Sequence, residues 1–311
     1  MVRPQIRVAT SIAPSDNSTS TVLPSATEPQ ITARGVELTT YTDVVFAEHA
    51  GRPLLLDLQV PPGPAAKPLI VYVTGGGFVM AVKENGQRLR THLAETGFAV
   101  ASIQYRTIMD SATYRDGVAD VLAAIAFLRA NADHYGLDAT KVGLYGESAG
   151  GYLVSMAGLD PAAGVRAVVN KFGAVDFASI AEDFDAQSQA GLAGPMNPLA
   201  FYLHGAGSGK TVSDEVPDAN PINHITADAP AFQIWHGSGD GIISPSQTLR
   251  LHNALRAAGV ESTRYVIEGA GHGDLAIELG RPEEVLPWYT EEVVGLTDDF
   301  FGAVFRRTGP S

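Results

Sequence analysis

The chain has 311 residues, of which 45% are hydrophobic, enough for one large domain to bury roughly three quarters of the unfolded surface. Its 21 basic and 34 acidic side chains give a net charge of −13, which repels phosphate backbones and argues against nucleic acid as a partner. No cysteine is present, so disulfides, thiolate metal sites and a cysteine nucleophile are excluded.

Residues 1–35 are rich in Ser, Thr and Pro and lack the apolar core of a secretion signal, so we predict an irregular N-terminal arm. No apolar run approaches the roughly 20 residues of a membrane span. These features predict a cytoplasmic protein, although a secreted protein whose signal had been removed would show the same pattern.

From Val36 onward, short apolar runs alternate with segments of helical period, which is typical of strands joined by crossover helices in a mostly parallel sheet. Most runs are continuously apolar, which predicts helices on both faces of the sheet. The predicted strands are Leu54–Val60, Leu69–Thr74, Ala99–Tyr105, Lys141–Tyr145, Ala167–Phe172, Ala231–His236 and Thr263–Ile267.

Four segments are predicted to be helical. Tyr114–Tyr135 has apolar residues at helical spacing and is followed by a glycine suited to a C-terminal cap. Further helices are predicted directly after Ser148, at Ser246–Ala258 and at Glu283–Val294. The segment from Phe177 to about Asn223 is long, irregular and rich in Gly and Pro, and its aromatic and aliphatic residues suit a cap over a site. We therefore predict one α/β domain over residues 36–311, with a cap insertion at about 177–223.

The sharpest motif is Gly146-Glu147-Ser148-Ala149-Gly150, between a predicted strand and a predicted helix. This strand–turn–helix context is that of a nucleophile elbow, which lifts a strained serine into a site. Glycines are needed at both ends because side chains there would clash with the adjacent strand and helix. A serine that merely caps a helix is the simpler alternative, but the small neighbours of Ser148 disfavour it.

A second loop, Thr74-Gly75-Gly76-Gly77-Phe78, lies at the end of the apolar strand that begins at Leu69. Acyl transfer needs backbone N–H groups within about 3 Å of the developing oxyanion, and glycine lets the backbone approach a ligand closely. We predict that Gly76 and Gly77 donate from this loop and Ala149 from the elbow. A flexible glycine turn is the alternative.

A serine nucleophile also needs an imidazole base and a carboxylate, in the chain order serine, acid, histidine. Of the eight histidines, His272 lies alone in a glycine-rich loop after the last predicted strand. Asp240 follows the preceding strand and is the predicted acid, although an aspartate between glycines also suits an ordinary turn. Asp176 is the rival acid. His236, at a strand end, is predicted to be structural.

The segment Gly205–Thr211 ends like a phosphate-binding loop, but His204 stands where the motif requires its first glycine. No paired histidines or carboxylate cluster with metal-ligand spacing is visible in the sequence. We therefore expect neither a bound cofactor nor a metal.

Together these residues resemble the α/β-hydrolases of the hormone-sensitive-lipase-like and bacterial feruloyl-esterase-like group. The resemblance runs from about Leu54 to Gly273 and implies the α/β-hydrolase fold, with Asp240 as the acid. Members of this group usually have His before the three glycines, where this chain has Thr74, which leaves open how the loop is pinned. The shared residues are Asp57–Pro61, Gly75–Gly77, Gly146–Gly151, Phe172–Phe177, Asn220–His224, His236–Gly237 with Asp240, Ser244 and Gln247, and Gly269–Gly273.

The sequence thus predicts a carboxylic-ester hydrolase in which Ser148 attacks, His272 carries the proton and Asp240 orients His272. The expected partner is a small short-chain or aryl ester. An aryl formamidase or other amidase, an acyltransferase and a non-catalytic receptor-like protein are alternatives. The acyl and alcohol groups, the motion of the cap and the number of subunits, a homo-oligomer included, are left open.

Overall fold

A mixed sheet forms the centre of the protein, which the computed structural model describes at residues 8–192, 197–214, 216–275 and 282–307. Its strands in chain order are β1 Thr21–Leu23, β2 Thr39–His49, β3 Arg52–Val60, β4 Lys67–Val73, β5 Ala99–Ile103, β6 Leu137–Glu147, β7 Ala167–Lys171, β8 Ala231–Gly237 and β9 Ser262–Ile267. Within the described residues they pair in the order β1-β9-β8-β7-β6-β4-β5-β3-β2. Neighbours from β1 to β5 are parallel, whereas β5–β3 and β3–β2 are antiparallel. The parallel strands therefore deliver their carboxyl-end loops to one edge.

Helices cover both faces of this sheet, as predicted. They are α1 Gln87–Glu95, α2 Tyr114–Ala130, α3 Ala132–Tyr135, α4 Ala149–Gly158, α5 Ala186–Leu192, α6 Pro198–His204, α7 Ser246–Ala257 and α8 Glu291–Arg306. Strand β6 shows why both faces are apolar, since Val142 and Leu144 pack into one core while Tyr145 packs into the other. The first core includes α2, α4 and α7, and the second includes α1 and α8. The chain has the α/β-hydrolase fold.

All seven predicted strands form, with bounds that shift by a few residues. The two edge strands were not predicted. Residues 21–23 of the arm predicted to be irregular form β1, and β2 escapes detection because it is largely exposed and lacks a continuous apolar run. Helix α1 was missed because its sequence is mostly polar.

The predicted helix Glu283–Val294 is wrong. Two short 3-10 helices, Pro282–Glu284 and Leu286–Tyr289, occupy its first part, and α8 begins only at Glu291. Pro287 lacks the N–H that a continuous helix needs, and the Thr290 side chain accepts a hydrogen bond from Val293 as the N-cap of α8. The segment predicted as one helix at Tyr114–Tyr135 is divided at Asn131.

The segment predicted as a cap contains α5, α6 and three short 3-10 helices in its described part. Its residues Phe177, Tyr202 and Leu203 are buried, and the Tyr202 ring stacks on Phe78 of the glycine loop at 4.3 Å. Of the predicted cap residues, Met196 and the Leu192 side chain lie outside the described part. The segment thus packs directly on the predicted oxyanion loop. In the described residues, no helix is long and apolar enough to span a bilayer.

Candidate active site

Ser148 lies between β6 and α4 with φ 54° and ψ −119°, a backbone conformation that costs a non-glycine residue free energy. Its N–H donates a 2.9 Å hydrogen bond to the Lys171 carbonyl on the neighbouring strand β7. A Cβ at Gly146 would lie 2.3 Å from the Gly150 carbonyl oxygen, and one at Gly150 would lie 2.0 Å from that of Val73. Glycine is therefore required at position 150 for the elbow to fit against β4, and at position 146 for β6 to pass close to α4.

The imidazole of His272 lies beside this serine, with Nε2 2.7 Å from Ser148 Oγ. His272 is 5% exposed and comes from the loop after β9. Its ring centroid lies 4.4 Å from that of Phe172, which itself has a positive φ of 44°. A Cβ at Gly273 would lie 2.6 Å from Phe172, so the glycine allows the base loop to close on this ring.

The carboxylate of Asp240 completes the chain of contacts. Its Oδ2 lies 2.7 Å from Nδ1 of His272, and its Oδ1 accepts the backbone N–H groups of Ile242 and Ile243 at 2.9 and 3.1 Å. Because an ionised carboxylate only accepts hydrogen bonds, the His272 proton belongs on Nδ1. Nε2 is then free to accept the proton of the serine hydroxyl.

The charge state of Asp240 depends on two histidines. Its side chain has no exposed surface, and burial by itself raises the pKa of a carboxyl group. Interactions with His272 and His236 outweigh burial and hold the pKa of Asp240 well below its usual range. Burial lowers the pKa of His236, so this second histidine is neutral at pH 7. Asp240 is therefore an ionised acceptor beside a neutral histidine.

The rival acid Asp176 lies elsewhere. Its Oδ2 accepts the Ser179 hydroxyl at 2.7 Å and lies 3.9 Å from the Arg250 guanidinium, while its N–H donates to the Gln247 side chain. The structure brings Asp240, and not Asp176, to His272.

The glycine loop has the backbone that its predicted role requires. Gly76 has φ 147°, and a Cβ there would lie 2.1 Å from the Met80 carbonyl oxygen. Within the described ranges, no acceptor takes the N–H groups of Gly76, Gly77 or Ala149. These donors remain available to a ligand.

The structure also shows how the loop is held without the usual histidine. The Tyr105 hydroxyl donates to the Thr74 carbonyl at 3.1 Å and lies 3.3 Å from that of Met80. The Thr74 hydroxyl is buried and has no hydrogen-bond partner in the described part of the chain. The hydroxyl of Tyr105, which follows β5, therefore links the start of the glycine loop at Thr74 to its end at Met80.

Sequence reasoning missed the residue that supports the elbow. Besides accepting the Ser148 N–H, Lys171 forms a 2.9 Å ion pair with Glu147 and lies 4.6 Å from the centroid of Trp288. Lys171 is only 3% exposed. A lysine at the end of a fully buried strand was the available signal, because a buried cation needs partners. No cluster of three or more potential metal ligands occurs in the residues described.

Comparison with known proteins gives a match between residues 56–255 and the model of the BD-FAE family. Esterase LipC of Mycobacterium tuberculosis is 32% identical over 69% of this chain and 54% of its own length. The probable isoprenylcysteine alpha-carbonyl methylesterase ICMEL2 of Arabidopsis thaliana is 29% identical over 72% of this chain and 55% of its own. The chain thus spans about half the length of the curated relatives it matches.

Solved structures show the same fold. A truncated carbohydrate esterase from gut microbiota superposes with a TM-score of 0.73 at 24% identity, covering 90% of this chain and 100% of that one. A bacterial heroin esterase superposes with a TM-score of 0.67 at 20% identity, covering 89% and 87%. At these identities the likeness concerns the fold.

Proposed function

The chain belongs to the BD-FAE family, and from this premise we propose that it is a serine hydrolase that cleaves carboxylic esters. One observation carries the proposal: a serine in a strained elbow lies 2.7 Å from an imidazole that lies 2.7 Å from a buried carboxylate. The curated relatives named as esterases support the reaction class.

In the proposed reaction, Ser148 Oγ attacks the ester carbonyl carbon while Nε2 of His272 takes the hydroxyl proton. The carbonyl oxygen becomes an oxyanion, which accepts hydrogen bonds from the N–H groups of Gly76, Gly77 and Ala149. The C–O bond to the alcohol then breaks, and protonated His272 gives its proton to the departing oxygen. Water next attacks the acyl-enzyme, with His272 as base, and releases the carboxylic acid and Ser148.

Asp240 contributes without moving a proton. It holds the His272 proton on Nδ1 through the 2.7 Å hydrogen bond and stabilises the imidazolium that forms during each attack. Because Asp240 is fully buried, this stabilisation is little screened by solvent.

We propose short-chain or aryl esters as substrates. The support is the cap, where Phe177 and Tyr202 pack with Tyr152 and with Phe78 of the glycine loop. These rings are buried against one another, so the cap segment packs closely on the glycine loop, which favours a small acyl or aryl group over a long lipid chain.

A fluorophosphonate probe tests the nucleophile. Wild type should be labelled on Ser148, and Ser148→Ala should lose labelling and about a millionfold of kcat with its fold intact, because the three groups act as one unit. Ser155→Ala is the matched control, since Ser155 is a buried serine of α4 that donates to the Gly151 carbonyl and accepts from Asn170, without contact to His272. Retention of more than about one hundredth of the activity in Ser148→Ala would contradict the assignment.

A substrate panel tests the bond that is cleaved. We expect p-nitrophenyl acetate and butyrate and aryl esters, feruloyl esters included, to be hydrolysed faster than an aryl formamide. Faster turnover of the formamide would identify an amidase instead. A wild type that takes no fluorophosphonate label would identify a binding protein without chemistry.

A further inference from the structure

A second histidine contacts the acid. His236, on β8, has no exposed surface, and its Nε2 lies 3.2 Å from Asp240 Oδ2 and 3.1 Å from the Ile243 carbonyl oxygen. Oδ2 is the same oxygen that accepts the hydrogen bond from His272 Nδ1. One carboxylate oxygen therefore faces two imidazoles.

The other ring nitrogen of His236 shows which way its proton points. Nδ1 lies 2.8 Å from the Thr248 hydroxyl, and that hydroxyl oxygen accepts the Nε–H of the buried Arg264 at 3.1 Å. Thr248 has one proton to donate, and the alternative acceptor, the Pro245 carbonyl, lies at 3.3 Å and already receives an N–H from Arg264. The threonine proton therefore goes to Nδ1 of His236, and the histidine's own proton is on Nε2, where the Ile243 carbonyl oxygen at 3.1 Å and Asp240 Oδ2 at 3.2 Å share it.

The arginine at the end of this chain of contacts is itself held in place. Arg264 is 1% exposed, and its guanidinium also donates to Asn17 and Ser20 of the N-terminal arm, at 2.9 and 2.8 Å. Arginine has only donors, so it orders the Thr248 hydroxyl in one direction. The arm, α7 and β9 thus determine together which nitrogen of His236 carries the proton.

We propose that His236 is a positioning residue for the reaction: its Nε2–H holds the Asp240 carboxylate in the orientation that His272 needs. This inference rests on the proposed ester hydrolysis. Two backbone N–H groups hold Oδ1, so a donor on Oδ2 prevents the carboxylate from turning about its Cβ–Cγ bond. The same donor withdraws charge from the oxygen that pairs with His272, which weakens the stabilisation of the protonated imidazole.

Several elements that pack against His236 place charged or titratable groups near it. Asp240 lies on the loop after its own strand, His272 lies beyond that carboxylate, and Arg264 on β9 repels a proton on His236. Asp183, at the base of the cap, partly offsets the charge of Arg264. Burial lowers the pKa of Arg264 to about 10, so it stays charged at the pH of the assay.

His236→Phe removes the donor and keeps an aromatic ring. We expect kcat to fall by about 10- to 100-fold with KM within about twofold, since the substrate contacts are intact and only the base is mispositioned. The midpoint of the low-pH limb of the kcat profile should shift to higher pH by about half a unit or more. The reason is that Asp240, without the His236 donor, stabilises the protonated imidazole of His272 more strongly. In His236→Gln the amide N–H can reach the same oxygen. This variant should therefore keep most of the wild-type kcat and most of the wild-type position of the low-pH limb.

His252→Phe is the matched control. His252 is an equally buried histidine that bonds Ser262 and the Thr19 carbonyl, next to the same arm, without contact to Asp240. It should lose stability while keeping kcat and the pH limb of wild type. Thr248→Val is a second variant of the proposed chain, and it should shift the limb in the same direction because Nδ1 of His236 then lacks its donor.

Proton NMR gives a readout that does not depend on turnover. The low-field resonance of the His272 Nδ1–H, assigned by its loss in Asp240→Asn, should shift in His236→Phe and stay in place in His252→Phe. A folded His236→Phe with the wild-type limb, kcat and resonance would overturn the inference, and so would an equal effect of His252→Phe. Wild type without fluorophosphonate labelling would instead refute the proposed function.

Discussion

Replacing Asp240 by Asn should separate the acid's chemical role from its structural role. The Asn carbonyl would keep the two hydrogen bonds from the N–H groups of Ile242 and Ile243, which now go to Oδ1. The amide NH₂ must then occupy the position of Oδ2. There it faces His272 Nδ1, 2.7 Å away in the native protein, and also His236 Nε2 at 3.2 Å.

This orientation reverses the tautomer of the base. Facing a donor, His272 Nδ1 must become an acceptor, so its proton moves to Nε2, where it opposes the Ser148 hydroxyl. The same reversal in a serine protease lowers kcat about 10⁴-fold, which corresponds to about 5.5 kcal/mol of transition-state stabilisation. We expect a loss of about this size, since the Asn variant has no second way to satisfy both backbone donors.

The assay is kcat for p-nitrophenyl acetate at saturating substrate from pH 6 to 9, with thermal unfolding as the measure of folding. Asp176→Asn is the matched control, because it is also a carboxylate at the end of a parallel strand but contacts Ser179 and Arg250. Asp176→Asn should lower kcat by less than about tenfold and leave the low-pH limb of the kcat profile in place. A larger loss and a moved limb in Asp176→Asn, with Asp240→Asn near wild type, would refute this reasoning.

Three further outcomes are expected. Gly150→Ala should lower kcat by more than about 100-fold, because its Cβ would lie 2.0 Å from the Val73 carbonyl oxygen; Gly295→Ala, where no atom lies within 4 Å, should leave kcat unchanged. Soluble short esters should be hydrolysed faster than triglyceride emulsions, and activation by a lipid–water interface would contradict the proposed preference for small esters. Burial lowers the pKa of His252, so the unfolded chain takes up its proton first as the pH falls below about 6.5. The stability from this neutral histidine is complete above about pH 6.5 and falls by up to about 1.4 kcal/mol per pH unit below it. Urea unfolding from pH 7.5 to 5.5 should show a smaller pH slope for His252→Phe than for wild type; equal slopes would show that His252 does not contribute.

Local sequence was sufficient to predict the central strands, the glycine loop and the elbow. Strands buried on both faces must be apolar at every position, as in Leu69–Val73 and Ala167–Val169, and this signal does not depend on the rest of the chain. Gly150 carries a similar local signal, because the turn into α4 permits no side chain there. Largely exposed strands such as β1 and β2 carry no such signal, and α1 was missed because its sequence is mostly polar.

Tertiary structure decided between the two candidate acids and joined residues that the sequence did not pair. Asp176 and Asp240 both follow apolar strands, and only the sheet order places β8 beside β9, so that Asp240 reaches His272. The pairing of Tyr105 with the Thr74 carbonyl and of Lys171 with the Ser148 N–H likewise joins separate strands across the sheet.

The protonation of the site is also a property of the folded chain. His236 was predicted from sequence to be structural, and its contact with Asp240 depends on Thr248, Arg264 and the arm residues Asn17 and Ser20. These residues lie far apart in the sequence, and a hydrogen-bond direction depends on every donor and acceptor that burial brings together. Sequence by itself determined the residue types available for the chemistry; the folded sheet determined their partners, since only burial removes the water that would otherwise satisfy them.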